Sequence, residues 1–228
     1  MYFGDWTMII VIPAILLALF AQFRVKSTYA KYAKVKAASG VTGAETARSL
    51  LNQGGAGFVP VEKVPGQLSD HYDPRKKILR LSEGVHDSPS IAALGIAAHE
   101  TGHALQHNTH YGPLMLRNGI FPVVNIGTTL AFPIFIIGMF AGAGGKVLMD
   151  IGILLFTFGV FFSVITLPVE FNASKRAVAL LQERGFLNPQ EIGGAKSVLS
   201  AAALTYIAAA ATSILSLVRL LILRDSRD

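Results

Sequence analysis

The chain has 228 residues, 52% of them hydrophobic and 15% charged, with a net charge of +6 and a mean hydropathy of +0.50. A soluble domain carries about 25% charged residues; the shortfall points to a membrane protein. The basic residues cluster beside apolar runs, which explains the positive charge by a bilayer surface and argues against a nucleic-acid partner. There is no cysteine, so disulfides and thiolate ligands are excluded and a metal site would have to use His, Asp or Glu.

The first apolar run covers residues 6–23. It lacks a basic stretch before it and a small-residue cleavage site after it, so it reads as a retained anchor rather than a removed signal. Residues 24–40 carry Arg24, Lys26, Lys31, Lys34 and Lys36 and read as a basic helical stem continuing from that span. Thr42 and Glu45 have capping-box spacing before Ala47, Leu50 and Leu51, which predicts a short helix ending at Gly54-Gly55. Residues 58–64 and 78–81 are apolar and β-branched, bounded by Pro65-Gly66 and Asp73-Pro74. They predict a strand pair or hairpin. Ser88-Pro89-Ser90 predicts a helix over 89–110, with Ser88 as N-cap and Pro89 in the first position, stopping near Gly112-Pro113.

A second apolar run covers 119–143 and a third 147–169, joined by a glycine-rich turn at 142–145. They read as a helical hairpin. The fourth run, 198–223, is rich in alanine, and small residues let helices approach closely, so it is expected to pack inside the bundle. Each run is long enough to cross the ~30 Å hydrocarbon layer as a helix.

Four crossings place residues 24–118 and 170–197 on one side. Lys175, Arg176 and Arg184 add to the five basic residues already named there, against Lys146, Arg224 and Arg227 on the other. The positive-inside rule then puts the two large segments in the cytoplasm, with the tail arginines as a mild contradiction. The expected organisation is an anchor (1–23), a cytosolic catalytic segment (24–118), a membrane hairpin (119–169), a second cytosolic segment (170–197), and a last membrane helix with a short tail (198–228).

The chemistry is concentrated on the helix over 89–110, which contains His99-Glu100-Thr101-Gly102-His103. This is H-E-x-x-H. A spacing of four puts both imidazoles on one face, one turn apart. Two ring nitrogens so placed can hold Zn²⁺ at about 2.0–2.1 Å each, with Glu100 positioned as general base for a water acidified by the ion. Satisfied core histidines, a structural ion or an inactive site are the milder readings. A catalytic zinc site wants a third protein ligand. Glu170, directly after the third span, is a carboxylate at the end of an apolar helix and needs a partner; zinc is one, and Lys175 or Arg176 is the alternative. His107 competes for the role, but it lies two turns from His99 and a straight helix does not easily close all three around one tetrahedral ion. His110 falls in a loop. His71, Tyr72 or His86 could donate to the oxyanion of the reaction, and the sequence does not choose among them.

Taken together, Leu79-Arg80-Leu81-Ser82, Ala97-Ala98-His99-Glu100-Thr101-Gly102-His103-Ala104-Leu105-Gln106 and Leu167-Pro168-Val169-Glu170-Phe171-Asn172-Ala173-Ser174 resemble the YugP-like family of bacterial zinc-dependent membrane peptidases, itself similar to the HtpX and CAAX prenyl protease group. The resemblance covers nearly the whole chain. It implies His99, His103 and Glu170 as zinc ligands, Glu100 as base, and a site open to the cytoplasm. An aspartate often follows Glu-Phe in that pattern where this chain has Asn172. If it orients a ligand histidine, Asn172 does so without charge and leaves the ligand less basic.

The expectation is therefore a mainly α integral membrane protein of the cell membrane, with about four transmembrane helices and a small cytosolic α+β zincin-like catalytic domain. Its function would be that of a gluzincin-like zinc metalloendopeptidase acting on protein or peptide substrates at the lipid bilayer. The competing readings are a catalytically silent membrane scaffold with a structural zinc and, more weakly, a metal transporter. The scarcity of ionisable residues within the four spans opposes the latter.

Overall fold

The computed structural model describes residues 6–226, and most of them are helical. Helix α1 spans Met8–Tyr32, α2 Gly43–Gln53, α3 Glu83–His86, α4 Ile91–Asn108, α5 Gly112–Phe140, α6 Gly145–Glu183 and α7 Ile192–Asp225; the strands are β1 Val61–Val64, β2 His71–Asp73 and β3 Ile78–Ser82. Four of the helices, α1, α5, α6 and α7, are long and apolar enough to cross a membrane. The protein is thus mainly α, with a small β-containing region.

All four long helices outrun the apolar stretches that announce them. Helix α6 continues fourteen residues past the third run, from Glu170 on to Glu183, and α1 carries on from Phe23 to Tyr32. Hydropathy marks only what would sit in hydrocarbon. Backbone hydrogen bonding has no reason to stop where side chains turn polar, and alanine and charged residues are good helix formers.

The chain divides into two compact units, one of residues 1–21, 116–168 and 205–228, the other of residues 22–115 and 169–204. In the first, Phe135 of α5, Met149 and Ile153 of α6 and Leu220 of α7 form a buried cluster. Glycines let α5 and α6 touch: a Cβ on Gly138 would lie 2.7 Å from the Gly145 carbonyl oxygen, and one on Gly152 would lie 2.8 Å from that of Ala131. The connection between them is a 3-10 turn at Gly142–Gly144, with Gly142 in the left-handed region at φ 62°. The expected burial of the alanine-rich helix is not found. The apolar window of α7 is 17% buried, the same as α1 and α6 and below the 22% of α5. Its alanines at 208 and 210 are covered, but Ile207, Ile214, Val218 and Leu221 are exposed.

The second unit holds two apolar clusters. One gathers Ala47, Leu51, Leu79, Leu81, Val85, Ala93 and Ala97; the other gathers Leu50, Ile91, Leu94, Ala98, Ala177, Leu181 and Ala195. Both draw on α4, which is buried nearly all round and is the central helix of the unit. Helix α2 has the full capping box: Glu45 N–H donates to Thr42 Oγ1 and Thr42 N–H donates to the Glu45 carboxylate at 2.8 Å.

Three local expectations are corrected. The two expected strands do pair with each other, but within a three-stranded sheet in the order β1-β3-β2 and not as a hairpin. β1 runs parallel to β3, and the hairpin partner of β3 is His71-Tyr72-Asp73. That strand is three residues long and polar, so no alternation advertises it. Its turn is built by Asp73, whose carboxylate accepts from the N–H groups of Arg75 and Lys76 at 3.0 Å, and by Lys77 at φ 55°. The basic stem is not helical to residue 40. Beyond Tyr32 the chain opens and pairs with residues 89–91: Ala37 N–H donates to the Pro89 carbonyl and Ile91 N–H to that of Val35, each at 2.9 Å. This extended pairing also displaces the start of α4. Its N-cap is Ser90, whose hydroxyl accepts from Ala93 N–H at 3.2 Å, while Ser88 donates its own hydroxyl to Ser90.

Candidate metal centre

Helix α4 presents His99 and His103 one turn apart, with ring centroids 4.7 Å apart and planes nearly perpendicular. Helix α6 supplies the third group. Gly102 is what lets the two helices meet, since a Cβ there would lie 2.8 Å from the Ala173 carbonyl oxygen and 3.2 Å from Ala173 Cα. The close approach brings Glu170, 3% exposed, against both imidazoles. Its Oε2 lies 3.3 Å from His99 Nε2 and 3.4 Å from His103 Nε2. Among the described residues, these three form a group whose potential ligand atoms lie within 4.8 Å of one another.

The separations suit a small cation. Two donors each about 2.0–2.1 Å from a tetrahedral ion stand ~3.3–3.4 Å apart, and this is the spacing of Glu170 Oε2 from each ring. Two imidazoles and one carboxylate form the donor set that leaves a fourth position open on zinc. The cluster is therefore capable of coordinating a metal ion.

The remaining ring nitrogens are tied, which orients the set. Ser174 Oγ lies 3.1 Å from His99 Nδ1. Gln106 Oε1 lies 3.0 Å from His103 Nδ1. The orientation of the Gln106 amide is fixed by its other bonds: Nε2 donates to the Val169 carbonyl at 2.8 Å and to Asn172 Oδ1 at 3.0 Å. The Gln106 oxygen is thus the atom facing His103, whose Nδ1 carries a proton and whose Nε2 faces Glu170. Asn172 Oδ1 also accepts from Arg176 Nε at 2.9 Å, so a chain of hydrogen bonds runs from Arg176 through Asn172 and Gln106 to His103. Asn172 acts on the histidine at one remove, through Gln106.

The field at the site is negative. Burial disfavours the charged form of His103, but the hydrogen bond to Glu170 and the charges of Glu100 and Glu170 outweigh it and hold the ring above its ordinary pKa. The same field favours a divalent cation. Glu100 is steadied by the sheet: Tyr72 N–H of β2 donates to its Oε2 at 3.0 Å. Behind β2, Asp70 accepts from the Ser82 N–H at 2.7 Å and from the Ser82 hydroxyl. Burial above all, with the charge of Glu100 added, pushes the Asp70 carboxyl up against those bonds.

His107 stands apart from the cluster, its Nδ1 2.8 Å from Tyr72 Oη, and burial lowers its pKa first, with Lys77 and His110 adding to the effect. His110 sits beyond the helix at φ 50°. His71 and His86 are engaged elsewhere, with the Ser69 carbonyl and Asp87. Of the three residues considered as oxyanion donors, Tyr72 is the one bonded to Glu100. Gln106, Ser174 and Asp70 were not singled out in the sequence. The first two have a readable signal, since Gln106 lies three residues after His103 and Ser174 four after Glu170, each on its ligand's helix face. Asp70 has none.

The chain matches the family described as "Putative neutral zinc metallopeptidase" over residues 7–225. It is 51% identical over 218 residues to the "Putative membrane protease YugP" of Bacillus subtilis (strain 168), covering 95% of this chain and 96% of that protein. No solved structure matches it. With the family pattern running almost end to end and a His-His-Glu group capable of holding a metal ion gathered by α4 and α6, this chain belongs to the neutral zinc metallopeptidase family.

Proposed function

We propose that the protein is a membrane-embedded zinc metalloendopeptidase. In this reading His99, His103 and Glu170 hold the ion, Glu100 is the general base, and the substrates are membrane or membrane-associated proteins. The observation that carries it is the convergence of both imidazole Nε2 atoms on Glu170 Oε2 beside a carboxylate that is not part of that set. Zinc, when bound, supplies a Lewis acid that polarises the scissile carbonyl and acidifies the attacking water. Tyr72 N–H occupies one lone pair of Glu100 Oε2 and fixes the carboxylate's orientation. Glu100 then removes the proton from the water as its oxygen attacks the carbonyl carbon, and delivers that proton to the departing amine. Gln106 and Ser174 keep the rings from turning, so no reorganisation is required as the reaction proceeds. The site would face the cytoplasm of a cell membrane, as the basic residues in the last third of α1, just after it and within α6 favour.

The test is cleavage of casein and peptides by purified, zinc-loaded protein in detergent, beside Glu100→Gln. Glu100→Gln is expected to retain a full equivalent of zinc and to lose cleavage by at least about 100-fold, the lower end of the range for a positioned acid–base group. Equal cleavage by both proteins would remove Glu100 from the role of base. Silence of both with zinc bound would favour a scaffold with a structural ion.

A further inference from the structure

A cavity of about 120 Å³ is lined by Phe58, Tyr72, Lys77, Ala104, His107, Asn108 and His110, and Tyr72 links it to Glu100. It begins where the site ends. Tyr72 gives its backbone N–H to Glu100 and its phenol to His107; Ala104 follows His103 in the chain, and His107 lies one turn beyond. The volume is that of about four waters, enough for a small planar group.

Its lining is one-sided in charge. Lys77, His107 and His110 are the ionisable cation-forming residues, and no carboxylate is among the lining residues. The nearest acidic side chain on β2, Asp73, is spent on two backbone N–H groups and on Arg80 at 3.3 Å. The Lys77 ammonium lies 5.8 Å from the centre of the exposed Phe58 ring, which holds it at the rim. The Tyr72–His107 pair has one proton more than its shared bond uses. If the phenol donates to Nδ1, the neutral ring keeps its Nε2–H; if Nδ1–H donates, the phenol keeps its O–H. Either way one donor is left over, beside a fixed cation. A cation and a neutral donor within one small concavity make a site for a carboxylate.

We propose that this cavity seats a carboxylate of the bound peptide, from an acidic side chain or from the chain terminus, with Lys77 as the specificity-determining residue. The proposal rests on the site binding peptides, and its test separates that from hydrolysis. Zinc-loaded Glu100→Gln protein in detergent is titrated calorimetrically with casein-derived decapeptides in matched pairs: Asp against Asn at each position in turn, and a free C-terminus against its amide. The acid member is expected to bind three- to tenfold more tightly at one position or at the terminus, and which pair responds identifies the source. Lys77→Gln should abolish the difference. Lys77→Glu should invert it, so that a Lys-substituted peptide becomes the preferred ligand. Acid and neutral twins that bind equally, or a preference unmoved by Lys77→Glu, overturn the proposal. If the preference is present and inverts while wild-type protein cleaves none of the peptides, the subsite stands and the peptidase reading fails.

Discussion

The electronic character of the candidate metal centre is set by single atoms outside it. His103 is held through an amide, Gln106, whose nitrogen is itself bound to Asn172 and the Val169 carbonyl. Such outer partners are commonly worth 10–100-fold in metal affinity. Gln106→Leu keeps the volume and removes the acceptor, so zinc affinity, measured by competition with a chelator, is expected to fall by about 10–100-fold. Asn172→Asp is the opposite experiment. A carboxylate can still accept from Gln106 Nε2 and from Arg176 Nε, and its charge strengthens both bonds. The polarisation passes along the chain to His103 and makes its Nε2 a better donor. Zinc affinity should rise several-fold, with the fold retained because the geometry is unchanged. A weaker affinity in Asn172→Asp would break the argument, since it would mean the added charge is not transmitted to the ligand.

At the scale of elements, the site depends on how closely α4 and α6 pack, and one glycine decides that. A methyl at Gly102 meets the backbone of Ala173 at 2.8 Å, which side-chain rotation cannot relieve, whereas a methyl at Gly95 on the same helix meets Ala195 Cβ at an ordinary 3.5 Å. Gly102→Ala is therefore expected to cost about 1–3 kcal/mol as overpacking and to weaken zinc binding by pushing Glu170 away from the rings. Gly95→Ala should leave zinc affinity unaltered and gain up to about 1 kcal/mol in helix propensity. Thermal unfolding with and without chelator, run on both variants, checks the pair; equal zinc affinity in the two would refute the packing argument.

The cluster of His99, His103 and Glu170 was legible in the sequence because each member follows from a short-range rule: i, i+4 spacing on a helix, and the expense of a Glu at the end of an apolar run. The strand His71–Asp73 was not legible. It is stabilised by pairing with Ile78–Arg80 and by the Asp73 turn rather than by any pattern of its own, so the hydrogen bond that steadies Glu100 was hidden with it. The N-cap of α4 was misplaced for a related reason, since Ser88 and Ser90 are equally good caps locally and a pairing with residues 35–37, distant in sequence, selects the second.

For the whole molecule the deciding question is which way the membrane helices are threaded. If all four of the helices long and apolar enough to cross a membrane do so, the segments between α1 and α5 and between α6 and α7 lie on one side, and the turn at Gly142–Gly144 on the other. The tail arginine that ran against a cytoplasmic placement has a structural role: Arg224 forms a two-pronged ion pair with Asp150 at 2.8 and 3.1 Å and bonds Asp225 at 2.9 Å. The pairing does not remove it from the count of basic residues, since acidic residues do little in setting orientation during insertion. The absence of cysteine from the chain makes the question directly measurable, because any introduced thiol is the sole site of labelling. Gly144→Cys lies in the turn, with open space around it, and Gln53→Cys lies at the exposed end of α2. With a membrane-impermeant maleimide, Gly144→Cys is expected to label in intact cells, and Gln53→Cys only after the membrane is opened. The reverse pattern would turn the site outward, and with it the pool of proteins that could reach Glu100.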